Sequence, residues 1–349
     1  MTNDVRGPGS GVRGPTGANA DGVSNSSHDQ TQQDPGPRTP DPGPRTMHAW
    51  LQATRPKTLP AAIAPVAVGV ALASTQVAVS WPHAIGCLVG ALLIQIGTNF
   101  ANDAFDGLKG TDAHRIGPQR AVAAGLISAR AMLVATGVVL LLALIVGLWL
   151  AQIGGWPVLI LGLISLVCAI AYTAGPVPLA YVGLGDLFVL LFFGWFAVLG
   201  TAWVQVAPVA DRLDHTLLGL PIPWWLIATA IGLQATAIIC VNNLRDIATD
   251  APAGKRTLCV RLGDGSSRSY YGALHGAAAL CLLASAGFFT DPTQKHLVLI
   301  GVVAAAGGLL LTKGVRTAQG QALNPFLGKS AALELLTAGL LAGLVGRWG

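Results

Sequence analysis

Charge is what this sequence has least of. Asp, Glu, Lys and Arg make up 11% of its 349 residues, against about 25% in soluble domains. With a mean hydropathy of +0.59, that scarcity excludes an ordinary soluble globular protein. The formal net charge of +5 is then no sign of nucleic-acid binding, and no nucleic-acid partner is expected. Cysteine is sparse and scattered: Cys87, Cys168, Cys240, Cys259 and Cys281 form no C-x-x-C pair. Most lie in apolar runs, where a thiol behaves as a small hydrophobe. Neither a disulfide framework nor a zinc site is supported. The seven histidines are equally dispersed, which leaves haem and zinc ligation without sequence support.

Large apolar residues are almost missing from residues 1–46, a stretch rich in Gly, Pro, Ser, Asn, Thr and Asp with repeated Pro-Gly-Pro-Arg. Such a segment cannot bury enough surface to fold. It also lacks a charged-then-apolar start with a small-residue cleavage site, so it does not read as a signal peptide. The expectation is a disordered cytoplasmic tail, with residues 47–349 forming one transmembrane domain.

Beyond the tail the chain is a succession of apolar runs. An amphipathic entry, Trp50 to Thr58, carries Arg55-Pro56-Lys57. Spans are then expected at about 58–79, 82–101, 130–150, 156–173, 181–205, 223–243, 270–289, 296–312 and 330–347, each near the ~20 residues a bilayer core requires. The predicted fold is an all-α polytopic membrane bundle of about nine transmembrane helices around a cytoplasm-facing cavity. The 44 glycines suit close helix packing in lipid. With the N-terminus inside, 18 of the 21 Lys and Arg fall on the inner side, and Arg212, Lys295 and Arg347 on the outer. That asymmetry predicts a multi-pass membrane protein with its N-terminus cytoplasmic and its C-terminus outside.

Two charged stretches interrupt the apolar runs. The second is Asn242-Asn243-Leu244-Arg245-Asp246-Ile247-Ala248-Thr249-Asp250, with Lys255-Arg256 just beyond. Asn242, Asp246 and Asp250 are four apart, which on a helix puts them on one face. Three hard oxygen donors on one stripe suit Mg²⁺, and the cations beyond suit a diphosphate. The first stretch holds Asn99, Asn102, Asp103, Asp106 and Asp112, again with Asn and Asp four apart, and precedes Arg115 and Arg120. A single acidic cluster after an apolar run is ordinarily a solvated loop. Two with the same Asn-x-x-x-Asp core argue for a shared cavity holding Mg²⁺ and a diphosphate. The stretches sit at matching places in two four-helix units, which hints at an internal repeat.

These residues resemble the UbiA superfamily of intramembrane aromatic prenyltransferases. The resemblance rests on Arg55-Pro56-Lys57-Thr58-Leu59-Pro60, Asn102 to Arg120, Tyr172 to Asp186 with Gly200-Thr201, and Asn242 to Gly263. The run Asn-Asn-Leu-Arg-Asp-Ile-x-Thr-Asp…Gly-Lys-Arg-Thr-Leu is its most specific part and points to the branch acting on 1,4-dihydroxy-2-naphthoate. Two features depart from the superfamily pattern: Gly110 stands where an acid is usual, with Asp112 two residues on, and Tyr172 is followed by Pro176 rather than a lysine four residues later. Lys255 or Arg256 is expected to supply the missing cation.

The resemblance implies transfer of a polyprenyl group from its diphosphate to the naphthoate, with CO₂ and diphosphate released, in menaquinone biosynthesis. Asp106 and Asp246 are the leading Mg²⁺ ligands, with Asp103, Asp112 and Asp250 as partners and Asn102 and Asn243 orienting water or diphosphate. Arg115, Arg120, Arg245, Lys255, Arg256 and Tyr172 are the diphosphate candidates. Arg55 and Lys57 are candidates for the acceptor carboxylate, though a positive-inside anchor and a snorkelling lysine explain them as well. Asp186 and Glu334 are further acids near helix ends, Asp186 a candidate for the cavity mouth and Glu334 favouring a structural place. The competing readings are another acceptor (4-hydroxybenzoate, haem or chlorophyllide) and a secondary transporter. A transporter places its charges near the midplane, whereas these acids gather at one face.

Overall fold

In a computed structural model the chain is described over residues 44–110, 120–176, 178–212, 216–289 and 292–347. Residues 1–43 of the predicted tail, Asp112 and Arg115 lie outside the described residues; residues 44–46, expected to be disordered, instead begin a helix. Helix α1 (Pro44–Ala53) leads through a short turn, Pro56–Thr58, into α2 (Pro60–Ser74), with a bend of 50° between the two arms. Met47 and Leu51 of α1 are exposed while Ala49 and Ala53 are buried, the pattern of a helix lying at an interface. Next come α3 (Trp81–Lys109), α4 (Ala129–Ala171), α5 (Gly185–Val189), a wide-turn π segment (Leu190–Leu199) and α6 (Gly200–Val206). The last four helices are α7 (Ile222–Asp250), α8 (Leu258–Ala286), α9 (Pro292–Thr317) and α10 (Asn324–Leu344).

Six of these helical stretches are long and apolar enough to cross a membrane, or up to seven if the bent pair at α2 forms one. The count of about nine is not reached by that measure. Helix α4 accounts for part of the difference. Its 43 residues would run about 65 Å at 1.5 Å per residue, twice the ~30 Å of a bilayer core. It breaks at Gly155, whose φ of 69° and ψ of −161° are non-helical, between the two spans expected there. Helix α8 is broken in the same way at Gly263 (φ 76°). One strand pair departs from the all-α expectation: β1 (Thr216–Leu217) and β2 (Leu220–Pro221) form an antiparallel hairpin. Leu218 and Gly219 both have positive φ at its turn, as a tight two-residue hairpin requires.

Helix α7 is the axis of the bundle: 72% of its apolar window is buried, against 22% for α4. Trp224, Ile227 and Ile231 of α7 pack with Val198, Leu282, Leu297 and Leu341 in the largest core cluster. Val134, Val138, Leu141, Ile145 and Leu148 of α4 remain exposed, an outward apolar surface of the kind a membrane-spanning helix presents. The polar ends of α3 and α7 are continuations of the apolar helices, not loops, so their side chains inherit helical register.

Candidate active site

The site starts at the end of α3. Asn99, Asn102, Asp103 and Asp106 are all buried there, and Gly110, at φ 69°, closes the helix with its N–H on the Asp106 carbonyl. The Asp106 carboxylate accepts the Tyr181 hydroxyl at 2.7 Å on one oxygen and Lys255 Nζ at 3.1 Å on the other. Arg120 stands 3.9 Å away. Lys255 and Lys109 lie over the Tyr181 ring, 5.1 and 4.6 Å from its centre. Lys109 also donates to the Thr173 carbonyl at 2.7 Å, and the Thr173 hydroxyl donates to Asn102 at 2.8 Å. Residues 149 positions apart, Asp106 and Lys255, are thus joined by a charge-assisted bond. This is where the two charged stretches meet.

The loop after α7 makes that reach possible. Gly254 turns at φ 76°, and the Lys255 N–H returns to the Asp250 carbonyl at 2.9 Å. The Arg256 N–H bonds the Tyr181 carbonyl at 2.9 Å, and the Arg261 guanidinium bonds the Val182 carbonyl at 2.8 Å. Arg256's own side chain is exposed. The segment 181–183 is therefore stitched to the α7–α8 loop, and Tyr181 is held over Asp106.

On α7, Asp246 is clamped by the buried guanidinium of Arg245 through two bonds, 2.7 and 2.6 Å. Arg245 also donates to Asn242 at 2.8 Å and to Asn324 of α10 at 2.9 Å. Asn243 is buried at the same level, and Asp250 is half-buried. Asp103 has a different engagement: its two oxygens accept the backbone N–H groups of Ala121 and Val122 at 3.1 and 3.0 Å. It moors the chain entering α4 to the end of α3.

Arg55 occupies a left-handed backbone position (φ 53°, ψ 69°) in the bend between α1 and α2, unusual for a side chain with a Cβ. Asn99 holds this bend by donating to the Thr54 carbonyl at 2.9 Å. Lys57, in the same turn, is exposed. Tyr172 caps α4 just beyond its last turn. Burial pushes its phenol above the ordinary range; the charge of Asp186 adds to that push and Arg55 opposes it, with Asp106 a smaller contribution upward.

Among the described residues, no group of three or more His, Cys, Asp or Glu side chains converges as a protein-only metal site does. Mg²⁺ does not require one: it takes one or two carboxylates and completes its shell with phosphate oxygens and water. Buried Asp106 beside Asn102, and Asp246 beside Asn242 and Asn243, supply hard oxygen donors of that kind.

The sequence profile of the UbiA prenyltransferase family matches residues 62–333. The chain belongs to this family. It is 42% identical over 241 residues to the 1,4-dihydroxy-2-naphthoate octaprenyltransferase of Escherichia coli, covering 67% of this chain and 75% of that one. To the enzyme of the same name from Mycobacterium tuberculosis it is 37% identical over 295 residues, 84% and 95% of the two chains. The fold is shared with a UbiA homolog from Archaeoglobus fulgidus bound to GPP and Mg²⁺, at a TM-score of 0.62 and 16% identity over 84% of this chain and 99% of that one.

Against the sequence expectations, the structure brings Asn102, Asp106, Arg120 and Lys255 together, and groups Asn242, Arg245 and Asp246 on α7. It directs Asp103 to a loop and leaves the side chains of Arg256 and Lys57 outside. Tyr181, Lys109, Thr173 and Asn324 were not singled out from the sequence. The missing lysine after Tyr172 was a signal: two lysines, from α3 and from the α7–α8 loop, converge beside that turn instead.

Proposed function

We propose that this UbiA family member transfers a polyprenyl group from a polyprenyl diphosphate to 1,4-dihydroxy-2-naphthoate, releasing CO₂ and diphosphate to give demethylmenaquinol, the reduced form of demethylmenaquinone. The observation that carries this reading is the Lys255–Asp106–Tyr181 cluster, which joins both charged stretches at the end of two apolar helices. The names of the relatives supply the acceptor. The reaction is assigned to the cytoplasmic side of a bacterial inner membrane, with the prenyl tail in apolar surroundings.

Asp106 and Asp246, with Asn102, Asn243 and Asp250, are the residues that would hold Mg²⁺; Asp112 belongs to the same motif. When bound, Mg²⁺ neutralises charge developing on the departing diphosphate. Lys255, Lys109 and Arg120 add fixed positive charge at the same place. Arg245 and Arg256, with Arg115 by its place in the first motif, are the further cations assigned to the diphosphate, and Tyr172 and Tyr181 are the hydroxyls assigned beside it. Lys255, bonded to Asp106, is the cation assigned to the substrate's phosphate oxygens. Arg55 binds the acceptor carboxylate, and Lys57 serves the lipid interface. Asp103 is assigned to ordering the chain before α4 rather than to the metal.

The test is Asp106→Asn, which keeps size and removes charge. Purified mutant protein is assayed for prenylated product and released CO₂ against Mg²⁺ concentration, beside wild type and wild type in EDTA. Turnover should fall at least a hundredfold and be abolished by EDTA in the wild type. Near wild-type turnover of the mutant at limiting Mg²⁺ would remove Asp106 from the ligand set, and full activity in EDTA would remove the metal.

A further inference from the structure

Two buried acids, Asp186 and Glu334, are not used by this scheme. Asp186, on the first turn of α5, is 4% exposed, and neither carboxylate oxygen has a hydrogen-bond partner of normal geometry. A buried carboxyl so poorly satisfied is costly, so it persists where a ligand completes it or where it serves the chemistry. Tyr270 of α8 is its hydroxyl neighbour.

The surroundings connect it to the site. Asp186 is five residues beyond Tyr181, which touches Asp106. The Asp186 carbonyl is tied to α7 by the Thr236 hydroxyl at 3.4 Å. Tyr172 packs against Gly185 so closely that a Cβ there would sit 3.0 Å from the phenol oxygen. The same Tyr172 lies within electrostatic reach of Asp186, Arg55 and Asp106. One ring thus feels the charge of a cation, of a buried acid and of the diphosphate cluster. An aromatic acceptor carrying a carboxylate and a neighbouring hydroxyl has the complementary pair of groups. Glu334 of α10 is also buried and unpartnered. Its helix neighbours Ser330 and Thr337, however, bond Tyr271 and Gln234, which are not residues of the site.

We propose that Asp186 is the base of the transfer step, receiving the hydroxyl proton of the aromatic acceptor as the ring attacks the allylic carbon. This rests on the function proposed above. The O–H proton passes to Asp186, and the pair it leaves moves through the ring into the new carbon–carbon bond. The allylic C–O bond breaks and its pair departs with diphosphate. When the carboxylate leaves as CO₂, the pair of the broken ring–carboxyl bond restores the aromatic ring, and the oxygen takes the proton back from Asp186. The acid is returned unchanged, and no oxidant or reductant is needed.

The full-length enzyme in detergent with Mg²⁺ provides the test. Asp186→Asn should lower kcat by a hundredfold or more, within the range of general base catalysis, with a smaller rise in acceptor KM. Affinity for a non-ionisable phosphonate analogue of the prenyl diphosphate should stay within twofold of wild type. Independently of any variant, wild type should not prenylate the dimethyl ether of the acceptor, which has no hydroxyl proton to give. The proposal is overturned by a mutant kcat within threefold of wild type, by loss of analogue binding along with activity, or by turnover of the dimethyl ether within tenfold of the parent. If wild type ignores the naphthoate but prenylates 4-hydroxybenzoate, the acceptor assigned above is wrong. The same Asp186→Asn comparison on that acceptor still decides the base.

Discussion

Arg245 makes four hydrogen bonds inside the bundle, two to Asp246 and one each to Asn242 and Asn324. Breaking a buried pair by removing one partner leaves the other charge uncompensated and costs about 3–5 kcal/mol. Asp246→Asn is therefore expected to unfold at lower temperature, not merely to lose a metal ligand. Arg245→Met should do the same, and the double substitution Arg245→Met with Asp246→Leu should regain much of the lost stability while remaining inactive. Thermal unfolding of the three proteins in detergent, read beside turnover, separates the two roles; a double mutant less stable than either single would refute the pair argument. Arg55 gives a second prediction at this scale. If its left-handed perch serves the acceptor carboxylate, Arg55→Ala removes a charge-assisted bond of ~1.5–3 kcal/mol. Acceptor KM should then rise about ten- to a hundredfold with the prenyl diphosphate KM little changed, and an equal effect on both substrates would return Arg55 to an interfacial anchor. The stripes Asn102/Asp106 and Asn242/Asp246 were legible because helical register alone aligns residues four apart. The places of Asp103 and Tyr181 were not. Both depend on where the chain near residues 121 and 181 is held, and that is set by bonds to Ala121, Val122 and the α7–α8 loop.

Between elements, glycine allows backbones to approach closely. Gly194 of the π segment and Gly232 of α7 face each other, and a Cβ on Gly232 would lie 2.6 Å from the Leu190 carbonyl and 2.9 Å from Gly194 Cα. Those atoms are backbone and cannot turn aside. Gly232→Ala should force α7, the axis of the bundle, off the π segment that follows α5 and its Asp186, at a cost of about 1–3 kcal/mol. Gly147→Ala on α4 has nothing within 4 Å of the added carbon and should be neutral or stabilise by up to ~1 kcal/mol through helix propensity. Unfolding midpoints of the two alanine proteins check this, and a Gly232→Ala protein as stable as wild type would show that the crossing has room to relax. Apolar length placed most spans, since burying a helix in lipid demands it. It ended the second and sixth near residues 101 and 243, where polarity begins, yet α3 and α7 run on to Lys109 and Asp250. Helix geometry does not stop where hydropathy does, and in both cases the polar extension is the part that carries the site. The π segment left no mark on the sequence, because an extra residue per turn changes no residue type in a uniformly apolar run.

For the molecule as a whole, the decisive asymmetry is electrical. The basic residues gather at the end of the bundle where α3 and α7 carry their acids, and Arg120, Lys255 and Arg245 all lie buried or half-buried there. Lys and Arg are retained on the cytoplasmic side of a membrane, so this end is predicted to face the cytoplasm. A bond between Lys255 and Asp106 also requires that the ends of α3 and α7 share one side. Single cysteines at Leu108, at Arg256 and at the C-terminal Gly349, placed in a variant with the five native cysteines replaced, would decide it. Leu108 and Arg256 are exposed, so their thiols are open to reagent without unfolding. In right-side-out vesicles, an impermeant maleimide should label the Gly349 position directly and the other two only after permeabilisation. Labelling of all three from outside would reverse the charge rule for this chain. Labelling of the Leu108 and Arg256 positions from opposite sides would be incompatible with a joint site, because Asp106 and Lys255 could not then touch.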